Sequence, residues 1–190
     1  MSDGPLFYYD LCSPDGYLTA ERVVDALGVV PEFVPARLGG PGAFRCAEEE
    51  AIYRAEIERR AAAYGLLPLR WPPVVPPDSE WALLVATYAK QSGRVVAYSL
   101  AAMRQAFAGG RDLGERDTVL LAAAAAEMHP AAVIKGAELK GTRRRLDDAT
   151  AAARAAGVRD VPAVRIGDRV FHGDESLEAA AACARTASTS

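Results

Sequence analysis

The 190 residues predict an α/β chain in which a run of helices interrupts a small sheet. Three observations predict it. Near the start, an apolar, aromatic stretch passes straight into a helix start at Leu11-Cys12-Ser13-Pro14; the middle of the chain carries helical spacing segment after segment; and a valine-rich hairpin followed by a short helix pattern closes the chain.

Leu6 to Leu11 (LFYYDL) has the length and aromatic bias of a buried strand, and alternation sends Tyr8 and Tyr9 to opposite faces. Ser13 is a good helix N-cap, and Pro14 suits the first helical position, where its missing N–H costs nothing. Tyr17, Leu18, Val23, Val24 and Leu27 keep near-helical spacing until Gly28 stops the run. Pro31 to Leu38 reads as a second strand, with Pro35 marking an edge or a bulge, and Gly39 to Gly42 break the chain. Composition then shifts: Cys46 to Tyr64 is rich in Ala, Glu and Arg, with Ile52, Tyr53, Ile57 and Tyr64 at helix-compatible spacing. Five prolines between Pro68 and Pro77 remove donors and fix φ, so this segment is extended and stiff.

Helices follow over Ser79 to Ser92, Val95 to Ala108, Glu115 to Met128, Pro130 to Leu139 and Thr142 to Ala156, with Asp117 or Thr118 able to cap the third of them. Val161, Val164 and Ile166 with Val170 and Phe171, around Gly167-Asp168, predict a hairpin whose first strand begins at Pro162. A last helix runs from Glu175 to Ala184, and fraying is expected after Arg185.

Half of the chain is hydrophobic (51%), enough for a sizeable core, and a net charge of -3 offers no basic surface for nucleic acid. The longest alanine-rich run, Val119 to Met128, is too short to cross a bilayer, and no charged-then-apolar segment precedes Phe7; a cytoplasmic protein with no membrane partner is expected. Three cysteines (Cys12, Cys46, Cys183) and two histidines lack metal-ligand spacing, so no metal site is expected and the cysteines read as free thiols. A homodimer stays open.

The strand-to-helix turn is the place where a thioredoxin-like fold carries Cys-x-x-Cys; here the four positions read Ser13, Pro14, Asp15 and Gly16. The words FYYDLCSPDGYL, PLRWPP and Val161-Pro162 resemble the DsbA-like thioredoxin-fold proteins. Within that group they are most similar to the branch of the 2-hydroxychromene-2-carboxylate isomerases and kappa-class glutathione transferases. The resemblance implies a thioredoxin-like domain over residues 1–40 and 141–190, a helical insertion over 41–140, and a ligand cleft between them. It implies glutathione as cofactor, a small aromatic or conjugated electrophile as substrate, and Ser13 as the hydrogen-bond donor to the glutathione thiolate. Val161 and a cis Pro162 would offer backbone to the peptide-like cofactor. The segment Asp174-Glu175-Ser176 would hold its γ-glutamyl end, with Glu175 keeping the family's acid and Ser176 standing where arginine is usual. Trp71 and Asp78 would line the cleft wall, Asp78 replacing the usual asparagine.

Each residue also has a plainer reading. Ser13 is equally an ordinary N-cap, Cys12 a small buried hydrophobe rather than a reactive thiol at the cleft, and the proline-rich segment a spacer. Two other functions stay open: a thiol oxidoreductase relative using Cys12, and a non-catalytic binding protein on the same fold.

Overall fold

The computed structural model describes residues 4–39, 42 and 44–187. Strand β1 (Leu6–Tyr9) runs into α1 (Pro14–Ala20) and α2 (Val23–Leu27), then β2 (Glu32–Pro35). Five helices follow: α3 (Ala47–Ala63), α4 (Glu80–Gln91), α5 (Val95–Phe107), α6 (Arg116–Ala125) and α7 (Pro130–Glu138). The chain closes with α8 (Lys140–Ala155), the hairpin β3 (Ala163–Ile166) and β4 (Arg169–His172), a 3₁₀ turn (Asp174–Ser176) and α9 (Leu177–Ala187). The sheet order is β2-β1-β3-β4, with β1 parallel to β2 and antiparallel to β3. Pro35 sits on an edge strand, where its missing donor removes no ladder bond.

Strand alternation divides the core. Phe7, Tyr9 and Phe33 face the helical side, Phe7 and Phe33 edge to face at 5.0 Å, and the Tyr9 and Ser99 hydroxyls meet at 2.5 Å. Tyr8 and Val34 face the other side, against α8. Helices α4 to α7 pack on one another, α4 and α7 so closely that a Cβ at Gly136 would lie 2.4 Å from the Tyr88 ring. Among the described residues no single helix is long and apolar enough to cross a membrane.

The structure corrects several boundaries. The first strand ends at Tyr9 rather than Leu11, because Asp10 turns the chain with its own side chain. The helix expected from Pro14 to Leu27 is two: the Thr19 hydroxyl donates to the Asp15 carbonyl at 3.0 Å, a back-bond that bends helices, and the chain breaks at Glu21-Arg22. Glu115, not Asp117 or Thr118, stands at the start of α6, and no side chain caps it. The last helix persists to Ala187, past the expected fraying at Arg185; Gly40, Pro41 and the residues after Ala187 lie outside the described set. A second cis bond, Val75-Pro76, joins the expected one at Val161-Pro162.

Candidate active site

The turn after β1 is built on a buried carboxylate. Asp10, 2% exposed, accepts the Cys12 N–H at 3.2 Å and the Ser79 hydroxyl at 2.6 Å, so the start of α4 is tied to this turn. Burial pushes the Asp10 carboxyl above the usual carboxylate range, against the pull of those two bonds. An acid whose folded pKa is raised contributes stability below its unfolded pKa and loses it as pH rises through the folded value. Asp10→Asn keeps an oxygen acceptor and removes the titration. We therefore expect the wild type, measured by urea unfolding, to gain stability relative to Asp10→Asn as pH falls from about 8 toward about 4. A parallel pair of pH profiles would contradict this.

Ser13 caps α1: its Oγ accepts the Gly16 N–H at 3.1 Å and its carbonyl accepts the Tyr17 N–H at 3.1 Å. Pro14 has no N–H, so among the described residues Asp15 carries the remaining unpartnered donor of the first turn. The Ser13 hydroxyl proton meets no acceptor among the described residues, and the side chain is 1% exposed. A ligand sulfur therefore reaches it only by displacing what covers it.

Cys12 beside it is buried, its thiol donating to the Gly39 carbonyl at 3.7 Å. Burial, then the Asp10 charge, pushes that thiol well above its ordinary pKa. An aromatic disulfide reagent at mildly alkaline pH should label exposed Cys46 quickly and Cys12 only on unfolding. Fast labelling of Cys12 in the folded chain would revive a thiol chemistry at this turn.

A charged network that the sequence reading missed joins the site to α3. Arg60 forms an ion pair with Asp15 at 2.7 Å and another with Asp174, whose carboxylate also accepts the Tyr64 hydroxyl at 2.9 Å. The Tyr53 hydroxyl donates to the second Asp15 oxygen at 3.0 Å. Burial raises the Asp174 carboxyl, opposed by Arg60 and Tyr64. Of the expected γ-glutamyl residues, Asp174 is thus the acid drawn into the site, spent on Arg60 and Tyr64. Glu175 is exposed and makes no ion pair among the described residues, and the Ser176 hydroxyl donates to the His172 and Gly173 carbonyls.

Tyr53 begins an aromatic wall. Its ring lies 6.4 Å from that of Trp71, which meets Phe107 edge to face at 6.4 Å, and Phe107 reaches Tyr17 at 5.9 Å. The Trp71 indole N–H donates to Glu58 at 2.6 Å, and the Arg54 guanidinium lies over its ring at 4.9 Å. Asp78 points elsewhere: it is exposed and accepts the Glu80 N–H at 2.9 Å, satisfying a donor at the start of α4.

The register of β3 on β1 pairs Tyr8 with Ala163, which sets Pro162 and Val161 beside the end of β1 where the Ser13 turn begins. The Pro162 carbonyl accepts the Gly173 N–H at 2.8 Å, and this ties the 3₁₀ turn carrying Asp174 to the same end of the sheet. The Val161 N–H is taken by the Asp160 carboxylate at 2.7 Å. Ser13, Asp15, Arg60, Asp174 and Pro162 therefore form one connected set. The signal that could have exposed Arg60 is its place on the stripe of Tyr53, Ile57 and Tyr64, where a charged residue on a largely apolar face asks for a buried partner.

The model of the DSBA-like thioredoxin domain matches residues 6–182. Among solved structures, the chain is similar to 2-hydroxychromene-2-carboxylate isomerase, with 21% identity, 98% of each chain covered and a TM-score of 0.83. It is similar also to a probable DsbA oxidoreductase from Streptomyces coelicolor (19% identity, 96% of this chain and 89% of that one, TM-score 0.76). A third is the cytosolic disulfide reductase DsbM from Pseudomonas aeruginosa with GSH (16% identity, 97% of each chain, TM-score 0.69). No curated protein matches the chain.

Proposed function

We propose that this chain, which belongs to the DSBA-like thioredoxin domain family, is a glutathione-dependent isomerase or transferase acting on an aromatic or conjugated electrophile. The observation that carries the reading is the Ser13 hydroxyl, fixed as the cap of α1 with its proton unspent, at the turn where redox relatives hold sulfur. Dithiol exchange needs two sulfurs in that turn, and here Ser13 and Gly16 fill both positions. The likeness to an isomerase and to a reductase with GSH supports the same direction.

The donors at the sulfur end fit glutathione in their chemistry, and binding there displaces what covers Ser13. Ser13 has a proton to donate, and the Asp15 N–H adds a second donor at the positive end of α1. Arg60, which Asp15 shares with Asp174, and the Tyr53 hydroxyl hold the Asp15 carboxylate toward α3, which lessens its opposition to an anion two residues away. At the amino-acid end, Glu175 is exposed and makes no ion pair among the described residues, although its charge acts on Arg59 and Arg60; it is open to an ammonium group, while Asp174 positions Arg60 rather than contacting a ligand. Val161 contributes backbone, its N–H exchanging the Asp160 carboxylate for a peptide-like acceptor. Glutathione, when bound, supplies the sulfur that adds to the electrophile. The wall of Tyr53, Trp71 and Phe107 gives that electrophile an aromatic surface and keeps water from it.

Titration with reduced glutathione, followed by tryptophan fluorescence and by calorimetry, tests the reading. Saturable binding should perturb the Trp71 emission, and Trp71→Phe should abolish most of the optical signal while the heat of binding remains. No binding in the millimolar range would overturn it.

A further inference from the structure

The face of the sheet that carries Tyr8 holds an opening that the Ser13 site does not use. Helix α8 presents Ala149 and Ala152 there, and side chains this small leave a cavity of about 390 Å³ over Leu6, Tyr8 and Val34. It adjoins a second cavity of about 310 Å³ that shares Lys90 and Ala149 and is lined also by Arg145. The combined space falls in the range of small-molecule sites.

Its polar groups are placed for an anion. The β1 register sets Glu32, Leu6 and Arg165 in one row across β2, β1 and β3, so charged residues flank an apolar centre. Lys90 reaches Glu32 at 2.7 Å, and Arg165 spends two of its nitrogens on the hairpin turn, donating to the Gly167 carbonyl at 2.7 Å and pairing with Asp168 at 3.4 Å; three cations (Lys90, Arg145, Arg165) therefore face one carboxylate in the lining and one beside it, and Arg165 keeps Nη1 for a ligand. Tyr8 is 5% exposed, yet its hydroxyl makes no hydrogen bond among the described residues and is not among their fully buried unpartnered atoms. The ring is packed and its hydroxyl is the accessible polar end, able to donate to a ligand in the groove.

We infer that this groove is a binding site for an amphipathic carboxylate, whose apolar body lies on Leu6 and Val34 against the α8 alanines and whose head meets Arg165, Lys90 and the Tyr8 hydroxyl. Glu32 is its built-in competitor: it occupies Lys90 when the site is empty of ligand, and an incoming carboxylate shares or takes that partner. The inference is independent of glutathione, since none of these residues belongs to the connected set around Ser13.

Octanoate is the probe, with octanol as the uncharged control of equal chain length, measured by calorimetry and by amide chemical shifts. Octanoate should bind one to one, with shifts on β1, β2 and α8, and octanol at least about tenfold more weakly. Arg165→Gln should weaken octanoate about tenfold, Tyr8→Phe about threefold, and Glu32→Gln should tighten it by freeing Lys90. Ala152→Leu, on an exposed helix position where folding tolerates it, should fill the cavity and abolish binding. No binding of millimolar octanoate, equal binding of octanol, or binding unchanged in Ala152→Leu would each overturn the assignment.

Discussion

Ser13→Ala should lower glutathione-dependent turnover of a conjugated electrophile by about 10² to 10³, the loss seen when one preorganised donor to a developing or bound anion is removed. The same change removes the cap bond to the Gly16 N–H, which costs about 1 kcal/mol of stability. The two effects separate cleanly, because Pro14 still starts the helix and the Asp15 N–H still faces the anion. Binding of glutathione should persist in part, but the pH at which the bound thiol ionises should rise, since the variant keeps the helix end and loses the hydroxyl. Ser13→Cys gives the complementary result: a new thiol at the helix start, with depressed pKa and open to mixed disulfides, distinguished from Cys46 by its behaviour in a Cys46→Ser background. Equal turnover in wild type and Ser13→Ala, above the uncatalysed rate, would reduce Ser13 to a helix cap.

The parts of this molecule that were legible in the sequence are those where one local rule decides. Ser13-Pro14 is a cap followed by a helix-compatible proline, and the chain obeys it; Gly167-Asp168 between apolar runs is a hairpin turn, and it is one. The break at Glu21-Arg22 was not legible, because it follows from Thr19 turning its hydroxyl inward and from the Arg22 guanidinium lying 3.5 Å from the Tyr64 ring, a contact made across more than forty residues of chain. Which of the two acids expected at the γ-glutamyl end, Asp174 and Glu175, joins the Arg60 network is not legible for a related reason. Family words align Glu175 with the expected acid, but a 3₁₀ turn has three residues per turn, and its rotation turns Asp174 inward and Glu175 to solvent. Asp10 was hidden inside an apolar word, LFYYDL, that reads as strand throughout; only Ser79, reaching in from the start of α4, shows why a carboxylate is tolerated there. Ion pairs and buried carboxylates are tertiary facts, and a one-dimensional pattern records only one of the two partners.

Arg60→Gln should be the most destabilising single substitution at this site, by about 3 kcal/mol at neutral pH, the lower end for breaking a buried pair because Asp15 keeps some solvent. The reason is Asp174. It is 1% exposed, and without Arg60 its charge keeps, among the described residues, the Tyr64 hydroxyl and its own backbone N–H. Its carboxyl, already raised by burial, then rises further, so the variant loses stability as pH climbs through that value and recovers part of it in acid. The deficit against wild type should therefore shrink as the pH is lowered toward about 4. Arg60→Lys should not rescue it, because a single ammonium cannot reach two carboxylates that a planar guanidinium spans. Adding Asp174→Asn to Arg60→Gln should restore more than half of the loss, since it removes the orphaned charge rather than replacing its partner. Urea unfolding of the four proteins at two pH values reads all of this. A loss under about 1 kcal/mol for Arg60→Gln, or no recovery in the double variant, would show that the pair between α3 and the 3₁₀ turn is a solvated surface contact.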